Sequence, residues 1–167
     1  MRGYEERTQQ AVSLQDGVFS FLISSFLPMP FLDVTLPRTN AETKRALIAR
    51  LTDAAESAGF EREIFRVCIR EYEIGDAGRA GVPWDGKSEI PPLHLVLYTP
   101  RLPLRMKKAA IEKFSEAFRD TLARPEWYPI VHILEYSYDN LGIHGQIAWE
   151  AHPELKDRKF YGNLPED

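Results

Sequence analysis

The chain repeats itself. At an offset of 63 residues, Pro37-Arg38 recurs as Pro100-Arg101, Lys44 as Lys107, Ala46 as Ala109, Ile48 as Ile111 and Ala54 as Ala117. After one inserted residue, Glu71-Tyr72 recurs as Glu135-Tyr136. A duplicated unit must fold twice and then pack against itself, which leaves few architectures open.

Each copy carries the same order of local signals. In the first, Phe31 to Leu36 alternates as a strand, Thr39-Asn40-Ala41-Glu42 reads as a capping box, and Leu47, Leu51, Ala54 and Ala58 form an apolar helical stripe. Gly59 ends that helix, and Ile64 to Glu71 returns as a β-branched, aromatic-containing strand. In the second, Leu93 to Tyr98 is the strand, Pro103 opens a helix striped by Met106, Ala110, Phe114, Ala117 and Phe118, and Ile130 to Tyr136 is the closing strand. A helical crossover of this length makes the two strands it joins parallel. The expected fold is α/β (α+β): two tandem β-α-β units forming a four-stranded sheet with two helices on one face.

The expected organisation is an N-terminal extension over 1–28, units over 29–86 and 87–149, and a tail over 150–167. The Gly- and Pro-rich stretch from Ile74 to Pro92 is the linker, a loop near the binding face. Gly142-Ile143-His144-Gly145 before Gln146 to Trp149 predicts a turn and a short strand, and the tail from Pro153 reads as polar and irregular.

Composition narrows the partners. With 44% hydrophobic residues and a net charge of −4, the chain can bury a core and offers no basic face for nucleic acid. One cysteine, Cys68, excludes an internal disulfide and suits a reducing cytoplasm. The histidines at 94, 132, 144 and 152 lack metal-ligand spacing, so no metal site is expected. The apolar run over 18–27 is too short to cross a bilayer and lacks signal-peptide flanks, so no membrane association is expected.

Met29-Pro30 stands directly before the first strand. Inside a chain a proline nitrogen is an amide without basicity; at a free amino terminus it is a secondary amine that can take a proton from carbon. Met29-Pro30, Arg38 just after the first strand, Arg66 at the opening of the next and the duplicated β-α-β plan together resemble the tautomerase superfamily over about residues 29–149. The likeness is to fused two-unit members, similar in plan to cis-3-chloroacrylic acid dehalogenase and malonate semialdehyde decarboxylase. The single-unit relative is 4-oxalocrotonate tautomerase.

The resemblance implies a tautomerase/MIF-like fold, a homotrimer of fused chains, and cofactor-independent proton transfer on a small 2-oxo or enol carboxylic acid. It casts Pro30 as the base, once freed by initiation at Met29 or by cleavage, with Arg38 and Arg66 as matching arginines. In fused relatives the arginine after the third strand serves the proline site, which makes Arg101 the carboxylate clamp. Arg105 lies one helical turn further on and is a candidate to assist, or an exposed helix arginine. Glu135, Tyr136, Tyr138 and His132 are candidate polar partners, of which strand alternation admits only some. Since Ile130 stands where Arg66 does and Pro91-Pro92 replaces Met-Pro, one proline site per chain is expected. Two other outcomes remain open: a hydratase, dehalogenase or decarboxylase using a cationic Pro30, and a non-catalytic binding or assembly protein with Pro30 blocked.

Overall fold

The computed structural model describes residues 29–87, 90–156, 158 and 161. The apolar run over 18–27 lies outside them. The first unit contains β1 (Phe31–Pro37), α1 (Ala41–Ser57) and β2 (Arg66–Tyr72). The linker, expected as a loop, carries a small hairpin, β3 (Gly78–Arg79) with β4 (Val82–Pro83). The second unit contains β5 (His94–Pro100), α2 (Leu104–Leu122) and β6 (Ile130–Tyr136), followed by a hairpin of β7 (Gly142–Ile143) and β8 (Gln146–Ile147) and one helical turn, α3 (Ala148–Ala151).

The central sheet has strand order β2-β1-β5-β6. Within each unit the strands run parallel, and the two units meet through antiparallel β1 and β5, with Phe31 opposite Tyr98 and Thr35 opposite His94. This register turns the second unit end for end against the first. Both helices lie on one face, where Leu32, Val34, Leu36, Leu95 and Leu97 meet Leu47, Leu51, Ala55, Met106, Ala110, Phe114 and Phe118. Each fully buried leucine or phenylalanine there contributes about 1.5–3 kcal/mol. The stripe residue Ala117 is only partly buried, on the edge of that core.

The duplication extends to hydrogen bonds. The carboxylate of Glu71 accepts from Thr39 N–H at 2.7 Å and from Lys44 Nζ at 2.8 Å. Glu135 accepts in the same way from Leu102 N–H at 2.6 Å and Lys107 Nζ at 2.8 Å. In both units a glutamate near the end of the second strand holds the first turn of the helix. The same bond corrects the expected capping box: with the Thr39 amide given to Glu71, Asn40 becomes the cap, its side chain accepting from Thr43 N–H at 2.8 Å.

Among the described residues no helix covers the other sheet face. Alternation places Phe31 and Asp33 there with Arg66, Cys68 and Arg70 from β2, His94 and Tyr98 from β5, and His132 and Leu134 from β6. Arg70 binds Asp33 at 2.9 Å, and the His94 and His132 rings stack at 5.9 Å. The tail, expected to be polar and irregular from Pro153, is described at residues 153–156, 158 and 161. A 3-10 turn at Pro153–Leu155 buries Leu155, and Tyr161 is 4% exposed, packed on Phe60 at 5.4 Å between ring centres. Two isolated apolar side chains suffice to dock a short polar segment without any sequence periodicity.

Candidate active site

Pro30 lies at the mouth of β1, buried, with its carbonyl accepting from the Arg66 amide at 3.1 Å. The matching bond in the second unit runs from the Ile130 amide to the Leu93 carbonyl at 2.9 Å, so Leu93 holds the place of Pro30 there. The prolines at 91 and 92 fall short of that position. Antiparallel pairing of β1 and β5 puts these two places at opposite ends of the sheet.

Continuing the β1–β5 register one step beyond Phe31–Tyr98 sets Pro30 beside Thr99, and Thr99 pairs with Glu135 on β6. Arg101 therefore leaves β5 at the Pro30 end of the sheet. Arg38 leaves β1 at the far end, beyond a seven-residue strand; at roughly 3.3 Å per residue that is more than 20 Å from Pro30. There Arg38 pairs with the carboxylate of Glu73, and its amide donates to Tyr72 C=O at 3.0 Å. One chain does not bring Arg38 and Pro30 together.

A cleft of about 630 Å³ opens at the Pro30 end, between the ends of β5 and β6 and the C-terminal segment. Arg101, Glu135, Tyr136, Tyr138 and Asp139 line it from the sheet side, and Trp149, Lys156 and Arg158 from the tail side. Pro30 is not among the lining residues. Arg105 stands apart, on a separate hollow with Met106 and Ala109. His132 is also elsewhere, stacked on His94 over the helix-free face. The arrangement thus joins Arg101, Glu135, Tyr136 and Tyr138 of the sequence candidates at the cleft, sets Arg66 against Pro30 through its backbone, and separates Arg38, Arg105 and His132 from the cleft.

The charges around the cleft have visible causes. Glu135 is engaged with Lys107 and the Leu102 amide, so it is not a loose base. Burial pushes the phenols of Tyr136 and Tyr138 up, with the Arg158 guanidinium acting in the opposite direction on Tyr138 through a hydrogen bond. Both phenols stay protonated at neutral pH and can donate to an oxyanion. Trp149, with Lys156 Nζ 5.3 Å from its ring centre, and Arg158 went unnoticed in the sequence because a short irregular tail has no period to mark which residues turn inward.

Solved structures with this architecture share it over almost their whole length. A native fused 4-OT is 27% identical, with a TM-score of 0.66, over 73% of this chain and 98% of that one. The chain has the architecture of fused two-unit tautomerase-superfamily structures and resembles them in sequence. Pt0534 inactivated by 2-oxo-3-pentynoate is 25% identical at a TM-score of 0.61, over 74% of this chain and 98% of its own. A fused 4-OT described as an asymmetric trimer is 27% identical at 0.60, over 72% and 98%. No family model matches the sequence, and no curated protein sequence matches it.

Among the described residues no helix is long and apolar enough to cross a membrane, and no group of histidine, cysteine or carboxylate side chains could hold a metal ion.

Proposed function

We propose that this chain is a tautomerase-like enzyme that moves a proton within a small 2-oxo or enol carboxylic acid, with Pro30, as a free amino terminus, serving as the base. The observation that carries this reading is the antiparallel β1–β5 pairing, which sets Arg101 of the second unit at the Pro30 end of the first. Its chemical logic is simple. The amine takes the proton of the enol hydroxyl and returns it to carbon, the C=C electrons become the new C–H bond, and the oxygen becomes a carbonyl. Nothing is oxidised or reduced, and no cofactor is needed.

The base must be unprotonated near neutrality, and burial together with neighbouring cations lowers an amine pKa by disfavouring the ammonium form. Arg101 binds the substrate carboxylate and stabilises charge on the enolate oxygen, with Tyr138 as a neutral donor. Arg66 contributes to the electrostatics of Pro30. Arg38 serves a site only across a contact between chains, and a homotrimer, the assembly of a fused 4-OT it resembles, would supply one. The inactivation of Pt0534 by a 2-oxo acid supports the choice of substrate class.

A second reading rests on Met29, which packs against the core beside Pro30 as an ordinary preceding residue. If it remains attached, Pro30 is an amide and the protein binds without catalysis. One comparison decides. The chain starting at Pro30 should ketonise phenylenolpyruvate or 2-hydroxymuconate, and the full chain with an intact Met29–Pro30 bond should not. An inactive Pro30 chain would leave the binding reading.

A further inference from the structure

We infer that Arg158, carried by the C-terminal segment, is a carboxylate-binding residue of the cleft, gripping the same ligand as Arg101 from the opposite wall. This rests on the reading of that cleft as the site for a small organic acid, and it adds a ligand that neither the repeat nor the strand pattern contains.

Three observations carry it. Arg158 and Arg101 line one cavity of about 630 Å³. The Nη1 of Arg158 is buried and has no hydrogen-bond partner among the described residues, while the guanidinium is held from one side by the Tyr138 hydroxyl. A buried guanidinium N–H without an acceptor bears its full desolvation cost, which an incoming carboxylate oxygen would relieve. An arginine held on one side and open on the other is oriented before the ligand arrives, so less rotamer freedom is lost on binding.

Tyr161 makes two backbone contacts near Arg158. Three residues on, the Tyr161 amide donates to the Arg101 carbonyl at 2.8 Å, and the Tyr161 hydroxyl accepts from the Glu61 amide at 3.2 Å. Tyr161 thereby ties the tail to the backbone of the residue it is to work with. Lys156 adds a third positive charge, and among the described residues the only acids on the lining are Glu135, already bound to Lys107, and Asp139. Trp149, Tyr136 and Tyr138 supply flat apolar walls. A planar, conjugated or aryl carboxylate matches that combination of charge and surface.

The test uses the full chain and an unreactive ligand, so that it does not depend on Pro30. Calorimetric titration compares cinnamate with cinnamamide, which has the same shape without the charge, on the wild type, Arg158→Met and Arg158→Lys. Cinnamate should bind the wild type, Arg158→Met should weaken it by about 10- to 100-fold as a lost charge-assisted contact does, and Arg158→Lys should fall between. Cinnamamide should bind weakly and indifferently to the substitution. Circular dichroism melts of each variant identify any loss that is merely unfolding, and Arg158→Lys keeps the charge in place if Arg158→Met fails to fold. Absence of cinnamate binding to the wild type, equal binding of the amide, or full affinity in a folded Arg158→Met overturns the assignment. A silent Pro30 chain alongside Arg158-dependent cinnamate binding would sink the proposed catalysis and leave this site standing.

Discussion

Lys44 and Glu71 stand 2.8 Å apart, joining the first turn of α1 to the end of β2, and Lys107 and Glu135 repeat the bridge at the same distance in the second unit. The identities that survive between the two halves are therefore in part the ones that fasten each crossover helix to its strand. The Lys44 ammonium and the Thr39 amide hold the Glu71 carboxyl below its ordinary range. Its contribution is thus present above the unfolded carboxylate pKa and lost as pH falls through the lower folded value. Glu71→Gln should cost about 1 kcal/mol in urea unfolding at pH 7, given partial solvent screening, and the gap to wild type should close in acid. An equal gap at pH 7 and pH 3 would show that the charge is not the cause.

Thr99 is fully buried on the helix side of β5, and its hydroxyl has no hydrogen-bond partner among the described residues. A buried hydroxyl without a partner costs more than the methyl that could replace it. Thr99→Val should leave the fold intact and raise stability by about 1 kcal/mol. Urea denaturation reads this directly, and a loss of similar size would mean that the hydroxyl is satisfied by water.

The separation of Arg38 from Arg101 along the sheet gives a kinetic expectation. In the chain beginning at Pro30, Arg101→Ala should lower kcat/KM for an enol carboxylate about 10- to 100-fold, as expected for loss of a charge-assisted contact. Arg38→Ala should matter only through a neighbouring chain. Mixing Arg38→Ala chains with Pro30→Ala chains before assembly should then restore activity absent from either alone. Failure of the mixture to recover, with Arg38→Ala as damaging as Arg101→Ala, would place Arg38 within its own chain's site.

Alkali should unfold this protein through its tyrosines. Burial raises the phenol of Tyr72 to about 12 and that of Tyr161 to about 12, and pushes Tyr136 and Tyr138 up as well. Between the ordinary tyrosine pKa near 10 and these higher values the folded chain retains protons that the unfolded chain has released. Stability is therefore complete below about pH 10 and declines as pH rises through the folded values. Thermal melts at pH 9, 10 and 11 should show a falling Tm. Phenolate absorbance rising together with unfolding, rather than before it, would identify the buried tyrosines as the cause.

Strands and helices were legible because they rest on local periodicity. Leu32, Val34 and Leu36 alternate, and Leu47, Leu51 and Ala58 recur at helical spacing, with every one buried as that spacing requires. Asn40 caps α1 in place of the expected Thr39 because Glu71, 32 residues away from Thr39 in sequence, captures its amide. Competition from distant residues is invisible to a local pattern.

The sequence by itself determined the duplicated β-α-β plan and the two core stripes, since each depends on residues within one or two turns or on exact recurrence. Tertiary structure decided which groups meet. The antiparallel β1–β5 register sends Arg101 to the Pro30 end of the sheet and Arg38 to the other, and Tyr161 bonds the Arg101 carbonyl while Lys156 and Arg158 line the cleft. Those contacts come from strand pairing and from the burial of single side chains, and neither leaves a repeating signature along the chain.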